Sequence, residues 1–250
     1  MLPLYEAKML HLYDTRWATY EADGSTRPMT EAEKAERLNP MPRYWVQDSE
    51  IDRKLGERWD KTWFLGWRDI CRSTDARTVI ATMGPRVAYG DKWLLAMPTH
   101  GREELQAAWA SFVFDYAARQ KSGGTSMKYF TFMQLPMPTA SQLETVDVTF
   151  DRTARSWLGV RVDRLNGWVV DPAERGEVRA ELDALMFHIY GLSRSEVSYV
   201  LDTFPIVKRK DEAQVGSYRT KELILAAYDA MASSRDSGAP YQAPWKELAR

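Results

Sequence analysis

The last third of the chain has the hydrophobic pattern of amphipathic helices. One apolar stripe comprises Val178, Leu182, Leu185, Met186 and Ile189. Gly191 follows this stripe as a C-cap, and Ser193 with Glu196 forms a capping box for a second helix that runs through Phe204. Pro205 is expected to end that helix, because proline lacks the amide hydrogen that a helix interior uses. The pattern therefore predicts a helical hairpin.

Three further segments have helical signals. Thr30 and Glu33 form a capping box for a short polar helix through Leu38, and Thr220 is expected to cap a C-terminal helix. The stripe of that last helix comprises Leu223, Ile224, Ala227 and Tyr228. A single helix is predicted from Arg102 to Gln120 and ends at Ser122-Gly123-Gly124. Its apolar face comprises Leu105, Trp109, Phe112, Val113 and Tyr116.

Strand-like segments dominate the first half, where most of the ten tryptophans and twelve tyrosines lie. Trp63–Arg72 and Thr78–Met83 are predicted to form a hairpin through the turn Ser73–Ala76. Met127–Leu135 is a third strand candidate. Pro136 follows it directly and marks an exit from the sheet, because proline cannot donate to the ladder.

Together these patterns predict an α+β fold in three parts. Residues 1–140 form a β-rich region with one amphipathic helix, and residues 176–250 form a helical region. Residues 141–175 are assigned as a connecting segment, with short apolar runs around Trp157, Trp168 and Val169-Val170. We find no repeat or low-complexity tract.

The overall charge of -1 hides an uneven distribution. Residues 37–128 contain 15 Lys and Arg against 11 Asp and Glu, which is a local excess of +4. This excess permits nucleic-acid binding, although a mixed solvated surface has the same composition. The single cysteine, Cys71, and the absence of a membrane-length apolar run lead us to expect a cytoplasmic protein without membrane contact.

The sequence has few signals for catalysis. The histidines His11, His100 and His188 are far apart and lack the spacing of metal ligands, so no zinc site is expected. Neither a P-loop nor a G-x-S-x-G motif is present. The predicted C-terminal hairpin has the proportions of a helix-turn-helix, but Arg194 is the one basic residue of its second helix. A structural hairpin is therefore the preferred interpretation.

Several stretches, in order along nearly the whole chain, resemble the region that follows the catalytic domain in bacterial adenine-N6 DNA methyltransferases and fused type II restriction-modification enzymes. They are Pro3–Met9 with Tyr13, Asp14 and Arg16; Pro42–Trp45; Leu65–Ile70 with Arg72–Thr78; Gln134–Pro136; and Leu201–Val207. That region is the target-recognition, or specificity, part of those enzymes of bacterial defence.

The resemblance implies a chain that recognises a DNA sequence while its catalytic centre lies elsewhere. Such methyltransferases contain a glycine-rich loop for S-adenosylmethionine and an Asn/Asp-Pro-Pro-aromatic tetrapeptide that holds the flipped adenine. Neither motif occurs here, since Asn39-Pro40-Met41-Pro42 has methionine between its prolines. We therefore expect no cofactor and no catalysis in this chain. The expected partners are duplex DNA and an N-terminal or separately encoded methyltransferase domain, which would bind S-adenosylmethionine.

The predicted DNA-facing surface combines the hairpin with the segment 119–128. On an extended strand Arg68 and Arg72 project to the same side, about 13 Å apart at about 3.3 Å per residue. Guanidinium and hydroxyl groups contact phosphates and base edges. The candidate DNA-binding residues are Arg68, Arg72, Ser73, Thr74, Arg77, Lys121, Thr125 and Lys128. Alternatively, the arginines pair with Asp69, Asp75 or other carboxylates and have a structural role.

Two other functions remain open from the sequence. The first is a protein-interaction module of a multi-subunit assembly, in which the aromatic surface binds a protein and DNA is not contacted. The second is an enzyme whose motif differs from those considered above. Binding to a protein partner would be insensitive to salt, whereas binding to DNA would weaken steeply as salt is added.

Overall fold

The computed structural model describes residues 1–145, 153–167 and 171–245. Within these ranges the chain forms eight strands and eleven α-helices, which confirms the predicted α+β fold. The strands are β1 (Leu2–Tyr5), β2 (Ala18–Tyr20), β3 (Thr26–Pro28), β4 (Tyr44–Val46), β5 (Trp63–Arg68), β6 (Ala81–Pro85), β7 (Ala88–Tyr89) and β8 (Trp93–Ala96).

The helices of the first region are α1 (Glu31–Ala35), α2 (Asp48–Leu55), α3 (Arg102–Ala110), α4 (Phe112–Lys121) and α5 (Tyr129–Phe132). Those that follow are α6 (Ala140–Thr145), α7 (Ala154–Asn166), α8 (Pro172–Ile189), α9 (Arg194–Asp202), α10 (Pro205–Val215) and α11 (Arg219–Ser237). Trp168, Val169 and Val170, which the sequence marks as apolar, lie outside the described residues.

The central sheet has the order β6-β5-β8, with both neighbours antiparallel to β5. The predicted pairing of two strands is thus confirmed, although both strands have other bounds than expected. The ladder between them ends near Arg68, because the chain from Asp69 onward pairs with a different segment. Gly66 allows close packing in this sheet, since an added Cβ would lie 2.3 Å from Trp93 Nε1.

Two smaller sheets surround the N-terminus. In one, β1 pairs with β4 and β7, and in the other β2 pairs with β3. The predicted capping box of Thr30 and Glu33 is confirmed at the start of α1, but this helix already ends at Ala35, before the expected Leu38.

The predicted single helix Arg102–Gln120 is wrong, because the chain breaks at Ser111. Ser111 has an extended backbone, and its Oγ accepts a hydrogen bond from Phe114 N at 3.3 Å. Asp183 Oδ1 accepts a second hydrogen bond from Phe112 N at 2.7 Å. These acceptors satisfy amides at the start of α4, so two helices, α3 and α4, replace one.

The predicted strand Met127–Leu135 is also wrong. The chain bridges to Ile70 through Ser126 and then enters the short helix α5. This turn of helix places Phe132 in the core, where its ring stacks on Trp67 with centroids 4.0 Å apart. Aromatic packing across the core therefore determines the local conformation, in place of the β propensity of the segment.

The C-terminal helices follow the predicted order with shifted ends. The capping box of Ser193 and Glu196 is confirmed, and Gly191 has the positive φ of 73° expected of a C-cap residue. Helix α9 ends at Asp202, before the predicted Phe204. Pro205 indeed separates two helices, but it is the first residue of α10, where its missing amide hydrogen has no cost.

The last helix, α11, begins at Arg219, one residue before the predicted cap Thr220. Thr220 therefore lies inside the helix, where its amide donates to Asp211 Oδ2 at 2.6 Å. The predicted stripe of this helix is buried, with Leu223, Ile224, Ala227 and Tyr228 in the core.

The largest hydrophobic core contains residues from both halves of the described chain. Trp67 and Trp109 from the first region belong to the same buried cluster as Leu158, Leu185 and Leu201. The three predicted parts of the chain therefore share one core. No helix in the described ranges is long and apolar enough to cross a bilayer.

Candidate nucleic-acid interface

The two segments predicted to form a DNA-facing surface lie side by side. Ile70 and Ser126 form an antiparallel bridge. On either side of this bridge Cys71 N donates to Thr125 O at 3.1 Å, and Met127 N donates to Asp69 O at 2.7 Å. Residues 69–72 and 124–127 are therefore held together by backbone hydrogen bonds.

A buried carboxylate anchors the loop that follows. Asp115, on α4, is inaccessible to solvent and accepts hydrogen bonds from Arg77 Nε at 2.8 Å and Arg119 Nε at 3.1 Å. The amides of Thr78 and Val79 donate to the same carboxylate. This group fixes the end of the loop that carries the exposed residues 72–75.

Arg77 is consequently a correction to the predicted surface. Its side chain is 4% exposed, and its guanidinium donates to Asp115 and to the carbonyl oxygens of Ala110 and Ser111. The sequence could not show this, because Asp115 lies 38 residues further along the chain. The alternative in which the arginines pair with carboxylates and have a structural role therefore describes Arg77, whose partner is Asp115.

The other predicted residues of the loops are exposed. They are Arg72, Ser73, Thr74, Lys121 and Thr125. Arg72 and Lys121 have neither a hydrogen bond from the side chain nor an ion pair with any residue in ranges 1–145, 153–167 and 171–245. These two cations are thus available to an anionic ligand.

Lys128 is exposed but paired. Its Nζ lies 2.7 Å from Oδ2 of the buried Asp69, and Lys92 Nζ lies 3.8 Å from the same oxygen. Ser126 Oγ donates to the other carboxylate oxygen. Burial alone would raise the pKa of Asp69, but these donors outweigh it and lower that pKa. Asp69 therefore stays ionised and pairs with Lys128, whereas Lys92 lies closer to Asp91 Oδ2, at 3.0 Å.

Arg68 lies at the floor of an adjacent open cleft. Its Nη2 donates to the carbonyl oxygens of Ala7 at 3.0 Å and Leu10 at 2.7 Å, which ties the N-terminal segment to the central sheet. Its Nε is buried and has no hydrogen-bond partner in the part of the chain that the structure describes. Burial lowers the pKa of Arg68. This arginine therefore combines a structural role with a position below a surface site.

The cleft has a volume of about 730 Å³ and brings together side chains that are distant in sequence. Its charged lining residues are Glu6, Lys8, Arg68, Arg72, Asp75, Asp91 and Lys92. Both Arg68 and Arg72 line it, although β5 ends at Arg68 and Arg72 lies in the loop beyond it. We refer to Lys8, Arg72, Lys92, Lys121 and Lys128 as the basic face.

Two members of the basic face, Lys8 and Lys92, were missed by the sequence analysis. Lys8 follows β1 and lies 4.6 Å from the centre of the Tyr20 ring, and Lys92 precedes β8. No local motif distinguishes either lysine from other surface lysines. Only the tertiary fold brings them to the cleft.

An exposed apolar patch lies beside this surface on α5. The side chains of Phe130 and Met133 are 79% and 81% exposed, and Tyr129 is 45% exposed. Large apolar side chains exposed as a group are a common feature of interaction surfaces. This patch is a second candidate for ligand contact.

No group of three or more His, Cys, Asp or Glu in the described part of the chain is arranged to hold a metal ion. Comparisons of the chain with protein-family models, curated proteins and solved structures find no match. The assignment of a function therefore depends on the residues described above.

Proposed function

We propose that this chain binds duplex DNA through the basic face and selects the DNA sequence for an adenine-N6 methyltransferase of a restriction-modification system. The observation that carries the proposal is the pair of exposed cations Arg72 and Lys121, whose side chains have no partner among the described residues. Exposed lysines and arginines that lack a protein partner can displace counterions from phosphates, which drives association with DNA.

The way in which the loop is held supports this proposal. The buried Asp115 anchor and the backbone bridge at Ile70 fix residues 69–78 from both sides. A loop fixed before binding loses less conformational entropy when it contacts a ligand. Ser73, Thr74 and Thr125 add exposed hydroxyl groups beside Arg72, and hydroxyls also contact phosphates and base edges.

The proposed division of labour assigns methyl transfer to a partner. In this proposal a methyltransferase domain, encoded upstream or separately, binds S-adenosylmethionine and methylates the adenine. The chain alone should then neither bind that cofactor nor methylate DNA. Stoichiometric binding of S-adenosylmethionine in a calorimetric titration would contradict this part of the proposal.

The DNA proposal is tested by the salt dependence of binding. We expect the chain to bind random duplex DNA with an affinity that falls steeply as salt increases. Arg72→Gln and Lys121→Gln should each weaken binding and lower the slope of log K against log salt by about 1, because each removes one phosphate contact. Fluorescence anisotropy with a labelled duplex across a salt series measures both quantities.

Arg194→Gln is the matched control. Arg194 is also an exposed arginine, but it lies on α9 and pairs with Asp229 at 2.7 Å. Its loss should leave affinity and slope unchanged. Folded Arg72→Gln and Lys121→Gln variants with wild-type affinity and slope would exclude the basic face. Loss of binding in Arg194→Gln would instead favour recognition by the C-terminal helical hairpin.

The alternative function is a protein-interaction module, and the exposed Phe130 and Met133 favour it. In this case Phe130→Ser with Met133→Ser should abolish association with a methyltransferase partner, with little dependence on salt. The same double variant should leave the salt slope for DNA unchanged if DNA contacts only the basic face. Substitutions in the basic face should thus reduce DNA binding, and the double variant of Phe130 and Met133 should reduce binding to a protein partner.

A further inference from the structure

A second, smaller cavity lies between the N-terminal segment and the C-terminal helices. It is formed by the loop His11–Trp17, by α1, and by the end of α7 and the first half of α8. We propose that this cavity binds a phosphoryl anion through Arg179 and the arginines beside it. This site is separate from the basic face and does not depend on the function proposed for that face.

The charged lining of the cavity is predominantly positive. Its volume is about 240 Å³, and its charged lining residues among the described parts of the chain are Asp14, Arg16, Glu31, Lys34, Arg175 and Arg179. Lys34 Nζ lies 2.9 Å from Asp14 Oδ2 and 3.6 Å from Glu31 Oε1, so both carboxylates have this lysine as a counter-charge. Arg16, Arg175 and Arg179 are the other cationic residues of the lining.

Arg179 is the residue on which the proposal depends. Val178 and Leu182 are buried and hold helix α8 in the core, so the backbone position of Arg179 is fixed. Its guanidinium has neither a hydrogen bond nor an ion pair to any residue in the described ranges. Burial disfavours the charge of Arg179, since the interior solvates a guanidinium poorly, and this cost exceeds the favourable effect of the nearby Asp183 carboxylate, so the pKa of Arg179 is lowered. An anion in the cavity would remove this cost.

Two further arginines are positioned by backbone oxygens. Arg175 donates to Leu165 O and Tyr13 O, both at 2.9 Å, and Arg16 donates to Lys34 O at 3.1 Å. These hydrogen bonds hold both guanidinium groups beside Arg179 in the lining of the cavity.

His11 also lines this cavity. Its ring stacks on Trp17 with centroids 4.2 Å apart. Burial lowers the pKa of His11 to about 3, and the charges of Arg179 and Arg68 act in the same direction. The imidazole is therefore neutral at physiological pH, and it can donate one hydrogen bond to an anion without adding charge.

A phosphoryl group fits these properties better than a single carboxylate. Its oxygens accept bidentate hydrogen bonds from the planar fork of arginine, and it carries more charge than one carboxylate. The volume is below the range of about 300–1,000 Å³ typical of drug-sized ligands, which favours a phosphate or pyrophosphate moiety. This moiety can belong to a small molecule or to the DNA backbone.

Calorimetric titration of the full chain with inorganic pyrophosphate tests the site. We expect saturable binding at one site and a dissociation constant at least about ten-fold higher for Arg179→Gln, because a charge-assisted hydrogen bond is lost. Arg179→Lys keeps the charge without the fork and should give an intermediate affinity. Arg194→Gln should bind pyrophosphate as the wild type does, because Arg194 lies on α9 and pairs with Asp229.

The possible results separate the proposals. If the wild type does not bind pyrophosphate at concentrations up to about 10 mM, the affinity is too weak to be useful and the proposed site is wrong. Equal affinity in folded Arg179→Gln or Arg179→Lys would also overturn it. If Arg179→Gln fails to fold, Arg179→Lys alone decides. Displacement of pyrophosphate by a short duplex would identify the DNA backbone as the source of the phosphate, and lack of displacement would identify a small molecule.

Discussion

Asp115 shows how much of the proposed interface depends on one buried residue. Its carboxylate is the counter-charge of Arg77 and Arg119, and Arg119 Nη2 also donates to the carbonyl oxygen of Asp75 at 2.6 Å. The exposed loop is thus bound to α4 by charges that solvent does not reach. A substitution of the buried Asp115 should therefore alter the exposed loop.

We expect Asp115→Asn to reduce the free energy of unfolding by about 3–5 kcal/mol, because it leaves two buried arginines without a counter-charge. Urea denaturation followed by circular dichroism measures this change. Asp60→Asn is the control, since the side chain of Asp60 is 80% exposed and pairs only with its neighbour Lys61 within the described residues. That variant should unfold at nearly the same urea concentration as the wild type. Equal effects of the two substitutions would show that the Asp115 network contributes no net stability.

His188 makes the stability of the folded protein depend on pH. Its ring stacks on Tyr228 with centroids 3.8 Å apart, and burial lowers its pKa from 6.5 to about 4. Below about pH 6.5 the unfolded chain therefore binds a proton that the folded protein does not, so stability falls as the pH falls. The dependence ends near pH 4, where the folded protein also binds the proton.

His188→Gln should remove this contribution. Between pH 7 and pH 5 the wild type should lose about 1–2 kcal/mol of stability relative to the variant, because a shift of one pKa unit corresponds to about 1.4 kcal/mol. Urea titrations of both proteins at the two pH values measure the difference. The same pH dependence in both proteins would show that His188 is protonated in the folded state.

At the same scale, Arg72 and Arg77 show what sequence can predict about a site. Arg68 and Arg72 line the same cleft, but β5 ends at Arg68, so strand alternation does not account for the position of Arg72 in the loop that follows. Arg77 was assigned to the same surface and points inward. Its orientation depends on Asp115, and no local pattern near Arg77 encodes that distant carboxylate.

Among the elements, the break between α3 and α4 has the clearest physical cause. Ser111 Oγ donates to Ala108 O at 2.7 Å and accepts from Phe114 N, so one hydroxyl serves both helix ends. Ser111→Ala should destabilise the protein by about 1–2 kcal/mol, because it removes a buried cap. Chemical denaturation measures the loss.

Ser122→Ala is the matched control for this cap. Ser122 follows α4, is half-buried, and its Oγ makes one long hydrogen bond of 3.4 Å to Gly124 O. This variant should change stability by less than about 0.5 kcal/mol. An effect as large as that of Ser111→Ala would mean that the break does not depend on the serine hydroxyl.

The elements also show why some predictions succeeded. The capping boxes at Thr30 and Ser193 are confirmed because both partners lie within four residues of each other. The helix break at Ser111 was missed because its second acceptor, Asp183, is 71 residues away. The helix α5 was missed because its conformation depends on packing of Phe132 against Trp67. Signals between neighbouring residues therefore predicted structure correctly, whereas conformations that depend on distant partners were not predicted.

For the whole molecule, the shared core has consequences for unfolding. Its residues belong to the central sheet, to α3 and α4, and to the C-terminal helices α8, α9 and α11. A domain that unfolds independently needs a hydrophobic core of its own. The predicted regions 1–140 and 176–250 should therefore unfold together.

Leu185→Ala tests this cooperativity. Leu185 lies on α8 and is 1% exposed, so its truncation should cost about 2–5 kcal/mol. Eight of the ten tryptophans lie within residues 1–157, so tryptophan fluorescence reports mainly on the first region. Circular dichroism reports mainly on the helices, of which the longest are α8 and α11. Both signals should shift to the same lower urea midpoint.

Leu38→Ala makes the same chemical change at a side chain that is 45% exposed, and both of its midpoints should stay near those of the wild type. In Leu185→Ala, a lower midpoint by circular dichroism with an unchanged midpoint by fluorescence would show two cores that unfold separately. Coincident transitions would instead mean that α8 stabilises the sheet that carries Arg68 and leads into the loop of Arg72. A substitution in the C-terminal helices would then weaken ligand binding at the basic face by unfolding it, without touching the ligand.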